Sequence, residues 1–165
     1  SDEVISIYQR FGISSALVDI GGNIGLLGKN PQGRPWRVGI QDPQKPRGEY
    51  LGFLDLSDKS LSTSGAYERF FEKNGKIYHH LIDPVTGYPS DSGLLSVSII
   101  ADHSVDSDAL SKIFVMGAEK GIAVIKSFPG IEAVLVTRDK KIIATRGLKG
   151  VFHSVDGNGY ELVFV

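Results

Sequence analysis

Cysteine is absent from the 165 residues. That excludes a disulfide framework, a thiolate metal site and a cysteine nucleophile, but it assigns no compartment. A dominant charge of one sign is also missing. Eighteen Lys+Arg stand against nineteen Asp+Glu, a net charge of −1. The balance gives no electrostatic basis for binding nucleic acid or an acidic membrane surface. No apolar run approaches the ~20 residues needed to span a bilayer. No signal peptide is present. The chain starts Ser1-Asp2-Glu3 without an initiator Met, a start that fits a processed or trimmed chain, so the missing signal carries no message about location. Internal repeats, low-complexity tracts and interdomain linkers are absent too.

What is present is ordinary globular material: 41% hydrophobic and 22% charged residues, enough to argue against disorder. A chain of this length buries roughly 70% of its unfolded surface. Glycine is the one excess, 20 residues, which suits tight turns or a backbone-lined ligand site.

The spacing of Val4, Tyr8 and Phe11 predicts a short helix that stops at Gly12. Strands are expected at 16–20, 24–27, 36–40 and 50–56, with a Pro-containing surface loop over 41–49. Residues 57–65 read as a loop because they are small and polar. Tyr67 to Phe71 and Ile77 to Ile82 flank Asn74-Gly75, a strong hairpin signal. Asp83 to Gly87 reads as a turn and Leu95 to Ala101 as a strand. From Val105 to Met116 the period becomes helical, with Ala109, Ile113 and Met116 on one side. A second such helix runs from Glu119 to Phe128. A hairpin over 133–145 and strand-like runs over 151–165 complete the chain. The expected fold is one α+β domain, mainly antiparallel sheet packed with a few helices.

Four stretches are able to carry chemistry. Asp19-Ile20-Gly21-Gly22-Asn23 places backbone N–H groups at a sharp bend, either a plain strand turn or a seat for a phosphate or flat ring. No helix follows, so it is not a dinucleotide fingerprint. Ser62-Thr63-Ser64-Gly65-Ala66-Tyr67 is either a Ser/Thr turn or a phosphate and ring contact. In Tyr78-His79-His80 the two imidazoles face opposite ways on a strand, so one of them at most serves a given site as general base. Asp83 either orients His80 or caps the turn before Pro84. Asp102, Asp106 and Asp108, with Ser104, Ser107 and Ser111, cluster at a helix start. They read either as Mg²⁺ ligands or as capping residues.

In order along the chain, these stretches resemble the ApbE family of FAD:protein FMN transferases. The likeness is carried by Asp19-Ile20-Gly21-Gly22-Asn23-Ile24 and by Gly33-Arg34-Pro35-Trp36-Arg37-Val38-Gly39-Ile40 with Asp42-Pro43. It continues through Thr63-Ser64-Gly65-Ala66-Tyr67, His80-Leu81-Ile82-Asp83-Pro84-Val85-Thr86-Gly87 and Ser107-Asp108-Ala109-Leu110-Ser111 followed by Gly117. It runs from about residue 4 to the C-terminus.

The resemblance implies binding of FAD and Mg²⁺, attack of an acceptor Thr or Ser hydroxyl on the FMN-side phosphorus, and release of AMP. It implies a catalytic His80, metal ligands Asp108 and Ser111, and a flavin-contacting set of Gly21, Gly22, Asn23, Ser64, Gly65, Tyr67 and Arg69. Acceptors are flavoprotein subunits of electron-transfer or ion-pumping complexes. Work is extracytoplasmic, with membrane attachment only through an anchor outside this chain. Residues 1–165 correspond to the C-terminal portion of a longer family chain. The alternatives are a Mg²⁺-dependent FAD pyrophosphatase, with water in place of the acceptor hydroxyl, and a non-catalytic FAD-binding carrier. Lys112 stands where the family usually has Thr. An ammonium there repels Mg²⁺ and replaces part of its charge on a phosphate.

Overall fold

A computed structural model describes residues 1–165. In chain order it contains α1 (Asp2–Arg10), β1 (Ala16–Ile20), β2 (Asn23–Leu27), β3 (Trp36–Gln41), β4 (Tyr50–Leu56), β5 (Ser60–Gly65), β6 (Phe70–Lys73), β7 (Lys76–His79) and β8 (Leu94–Ala101). Then follow α2 (Ser104–Ser111), a 3₁₀ turn (Lys112–Met116), α3 (Ala118–Lys126), β9 (Glu132–Thr137), β10 (Lys141–Ala144), β11 (Phe152–Ser154) and β12 (Glu161–Phe164). The fold is α+β. No helix is long and apolar enough to cross a membrane.

Seven strands in the order β1-β2-β5-β8-β9-β10-β12 make the main sheet. Every pair in it is antiparallel except β10 with β12. A smaller sheet, β11-β4-β3, covers one face, and the helices α2 and α3 cover the other. Successive residues of a strand point to opposite faces. Val134 and Val136 therefore enter the core under the small sheet, while Ala133 and Leu135 enter the core under the helices. Burial on both faces is why β9 reads as an unbroken apolar run.

Two expectations fail here for one reason. Residues 60–65, expected in a loop, form the central strand β5, and of the expected apolar side of α2 only Ile113, just past its end, is buried, while the buried face of the helix itself is Ser104, Ser107 and Ser111. The two polar surfaces pack on each other. Ser107 Oγ accepts from Ser60 Oγ at 3.1 Å, and Ser64 and Ser111 share a hydrogen bond of 2.8 Å. Small hydroxyl side chains let a helix lie close on a strand, provided their hydrogen bonds are satisfied there. The helix also ends early: from Lys112 the backbone tightens to 3₁₀ geometry.

The start of α2 is held by α1. Asp2 accepts N–H bonds from Ser104 (2.7 Å) and Val105 (3.0 Å), and the Asp2 N–H reaches Ser104 Oγ at 3.2 Å. A carboxylate from another helix thus serves as the cap. The expected Asn74-Gly75 turn joins β6 to β7, with φ of 53° and 72°. The strand before it begins at Phe70, so Tyr67 and Arg69 lie in a turn and not on one strand face as expected.

Candidate active site cleft

A cleft of about 520 Å³ opens between the β1–β2 turn, the end of β5, the loop after β3 and the α2 terminus. Gly21, Gly22, Ser64, Gly65, Tyr67, Arg69, His80 and Asp108 all line it. Asn23 and Ser111 do not. The Asn23 amide is engaged elsewhere: its Oδ1 accepts from Ser1 Oγ, and its Nδ2 donates to the Ser104 carbonyl at 3.4 Å. Ser111 is fully buried beneath the cleft floor.

Gly21 and Gly22 form the two-residue turn between β1 and β2, with φ of 64° and 88°. One of the N–H groups at this bend is already used, since Gly22 donates to Asp19 Oδ1 at 2.8 Å. Gly65 and Gly39 meet a different need. A Cβ on Gly65 would stand 2.6 Å from the Tyr67 ring, and one on Gly39 would stand 2.4 Å from the Tyr50 ring. Each tyrosine ring thus lies close against backbone on a wall of the cleft, where only glycine leaves room. Burial pushes the Tyr67 hydroxyl well above its ordinary pKa, so the ring stays neutral.

The end of β3, the loop after it and the start of β4 supply residues that the sequence pattern did not single out: Gln41, Arg47 and Gly48, and Tyr50. The loop is strapped by its own side chains. Gln41 Nε2 donates to the carbonyls of Asp42 (2.9 Å) and Pro46 (3.0 Å), and Gln41 Oε1 accepts the Gly48 N–H at 2.9 Å. Asp42, 1% exposed, accepts from the Gln44 N–H and pairs with Lys45 at 3.6 Å. The Asp42-Pro43 pair was the only hint that this loop mattered. Arg47 and Arg69 both face the cleft, and neither has a carboxylate partner.

His80 and His79 point opposite ways, as the strand pattern requires. His80 Nδ1 lies 3.2 Å from the Arg69 carbonyl. A carbonyl only accepts, so Nδ1 carries a proton, and in the neutral ring Nε2 is the nitrogen with the lone pair. That is the tautomer a general base needs. Asp83 does not orient it; its Oδ1 accepts the Val85 N–H at 2.8 Å and caps the turn. His80 also borders a second, apolar hollow walled by Phe70, Phe71, Tyr78, Ile82 and Tyr88.

His79 is buried. Its Nε2 donates to the Ser90 carbonyl at 3.2 Å, its Nδ1 has no partner, and its ring meets Phe114 edge-on. Burial holds its pKa below the ordinary imidazole value. The unfolded chain then binds a proton that the folded chain refuses. This contribution to stability is complete above about pH 6.5 and is lost as pH falls from there through the lower folded value. Thermal unfolding is expected to show a melting temperature that drops between about pH 7 and pH 5. The drop should flatten in His79→Gln; an equally steep drop in that variant would assign it to other groups.

The three helix-start carboxylates do not converge. Asp102 pairs with Lys59, Asp106 stands on the first turn, and no three acidic or imidazole groups gather anywhere in the chain. Of the Mg²⁺ donors implied by the resemblance, Ser111 does not fit, and Asp108 already holds an ammonium. Ser111 Oγ gives its one proton to the Asp108 carbonyl at 2.7 Å, so the proton in its bond to Ser64 comes from Ser64. Its other lone pair faces Lys112 Nζ at 3.1 Å. A hydroxyl has one donor and two acceptor positions, and all three are used. Asp108 Oδ1 meets Lys112 Nζ at 3.1 Å, while its Oδ2 has no partner, so the carboxylate is shared with the ammonium and not saturated by it.

The groove brings together two unpaired guanidiniums, an ammonium, two tyrosine rings and a histidine, groups whose chemistry suits phosphate and aromatic faces. The chain belongs to the ApbE family, whose model matches residues 1–135. It is 42% identical over 157 residues to the FAD:protein FMN transferase of Treponema pallidum, covering 90% of this chain and 43% of that protein. It is 34% identical over 164 residues to a Klebsiella pneumoniae FAD:protein FMN transferase, covering 99% of this chain and 50% of that one. The ApbE protein of Thermotoga maritima superposes with a TM-score of 0.81 at 32% identity, over 91% of this chain and 49% of that structure. The Vibrio cholerae flavin transferase ApbE gives 0.77 at 32% identity, over 91% and 48%. The chain therefore spans about half the length of the curated relatives it matches.

Proposed function

We propose that this chain carries the flavin-handling cleft of an FAD:protein FMN transferase. The observation that carries the reading is the convergence of His80, Ser64, Gly65, Tyr67, Arg69 and the Gly21-Gly22 turn on one cleft, although they come from separate parts of the sequence. In this reading Tyr67 and Tyr50 flank the dinucleotide's rings, and Arg47 and Arg69 balance its two phosphate charges. An acceptor Thr or Ser hydroxyl gives its proton to His80 Nε2. Its oxygen forms a bond to the FMN-side phosphorus, and the bond from that phosphorus to the bridging oxygen breaks, releasing AMP. His80 borders both the polar cleft and the apolar hollow beside it, so donor and acceptor reach it from different sides. Mg²⁺ belongs to the family resemblance, and no step here is routed through it. Acceptors drawn from electron-transfer or ion-pumping complexes, and work outside the cytoplasm at the membrane, are part of the same proposal. Lys112 is the one observation that favours a non-catalytic FAD-holding role instead.

The test splices residues 1–165 into the matching half of the Treponema pallidum relative and supplies FAD and a Thr-bearing acceptor. The acceptor's intact mass is expected to rise by one FMN phosphoester, with AMP in equal amount. Free FMN and AMP beside an unmodified acceptor would move the reading to hydrolysis. Unchanged FAD would overturn the catalytic reading.

A further inference from the structure

Lys112 is held more tightly than a surface lysine. It follows α2 directly, four residues beyond Asp108 and on the same face. Its ammonium meets three oxygens: Asp108 Oδ1 at 3.1 Å, Ser111 Oγ at 3.1 Å and Ser64 Oγ at 3.4 Å. An ammonium has three N–H donors, so this seat matches it one for one. Two of the acceptors are fixed before the ammonium arrives. Ser64 and Ser111 are buried, and the chain of bonds from Ser64 to Ser111 to the Asp108 carbonyl turns a Ser111 lone pair toward Nζ. The ammonium itself lines the cleft beside Arg69 and His80.

We propose that Lys112 is the resident cation of this cleft: its ammonium occupies the oxygen seat where a divalent metal would sit, so a pyrophosphate-containing ligand binds here without Mg²⁺. Charge counting gives the consequence. A divalent ion on Asp108 leaves one net positive charge, whereas Lys112 on Asp108 leaves none. Arg47 and Arg69, neither ion-paired with the Asp19 or Glu68 carboxylates that also line the cleft, are then the positive groups free to meet a dinucleotide's two phosphates. The 3.4 Å contact to Ser64 is the longest of the three, and it is the one a phosphate oxygen takes over. The metal part of this proposal stands on the oxygen seat alone; the dinucleotide part rests on the flavin reading above.

Two measurements separate these parts. The first is Mn²⁺ binding to the flavin-free chain, followed by electron paramagnetic resonance. The unaltered chain is expected to take up none at the concentrations where Lys112→Thr, which frees the seat and adds a hydroxyl, takes up one ion. Uptake by the unaltered chain would overturn the proposal. So would failure of the variant to take up any, because the seat would then never be a metal seat. The second is FAD affinity, read by flavin fluorescence with EDTA or with Mg²⁺. The unaltered chain is expected to bind equally in both. Lys112→Met and Lys112→Thr should each lose about tenfold or more in EDTA, the loss expected for one charge-assisted contact. Mg²⁺ should restore binding in the Thr variant only. Mg²⁺-dependent binding by the unaltered chain would overturn the proposal. If the unaltered chain binds no FAD under either condition, the flavin reading falls, and the Mn²⁺ comparison still decides the role of Lys112.

Discussion

Replacing His80 with alanine in the spliced transferase is expected to lower FMN transfer by about 10²–10⁴-fold, the range for loss of a general base. FAD affinity should stay near that of the unaltered protein. The reason lies in the ring's orientation: the Arg69 carbonyl fixes a proton on Nδ1, so in the neutral ring Nε2 is the nitrogen that meets the acceptor hydroxyl as a base. The neighbouring His79 also borders the apolar hollow, but it is buried against Phe114 with its Nε2 committed to the Ser90 carbonyl, so it is not an equally placed base. Substitution of His79 should therefore change the melting temperature and its pH dependence, not the rate per folded molecule. Single-turnover transfer, with FAD binding measured on the same samples, checks both. An intact rate in the His80 variant, or equal rate losses from both substitutions, would remove His80 from the chemistry.

Gly65→Ala is expected to weaken FAD binding by about 10- to 100-fold while the chain stays folded. The added methyl would stand 2.6 Å from the Tyr67 ring, well inside contact distance. Gly65 is itself buried at the end of β5, paired with Ser96 of β8, so the backbone cannot yield easily. The ring yields instead and swings into the space the ligand's ring would use. Loss of one aromatic wall is a loss of about that size when the ring covers a flat ligand. Flavin fluorescence titration measures it, and circular dichroism with thermal unfolding checks that the fold survives. A second substitution, Tyr67→Ala on the Gly65→Ala background, should add little, because the two changes remove one wall. Full additivity would mean that Gly65 acts through something other than Tyr67.

Much of this protein is written in local pattern. The Asn74-Gly75 hairpin, the helix beginning at Asp2, the strands at 16–20 and 36–41 and the opposed histidines follow from period, turn chemistry and strand alternation. These are effects of neighbours within a few residues, so sequence alone determines them. The site motifs were visible as short strings for the same reason, since the Gly21-Gly22 bend and the Ser64-Gly65 step are local backbone requirements.

Tertiary structure decided the rest. Ser60 to Gly65 has the composition of a loop, and only burial between β2, β8 and α2 makes it a central strand. The hydroxyls of Ser60, Thr63 and Ser64 find partners more than thirty residues away, on β8 and α2, and no local window contains them. The same holds for the face of α2. Hydrophobic period points to Ala109 and Met116, but the surface it meets is serine, so serine is what it buries. Arg47 was invisible because its place in the cleft depends on a loop folded by Gln41 and Asp42. The fate of the metal ligands was decided last and furthest from sequence pattern. Asp108 and Ser111 look like donors in any string that contains them. Ser111 has no lone pair left to give, and a helix turn brings the Lys112 ammonium onto it and onto one oxygen of Asp108.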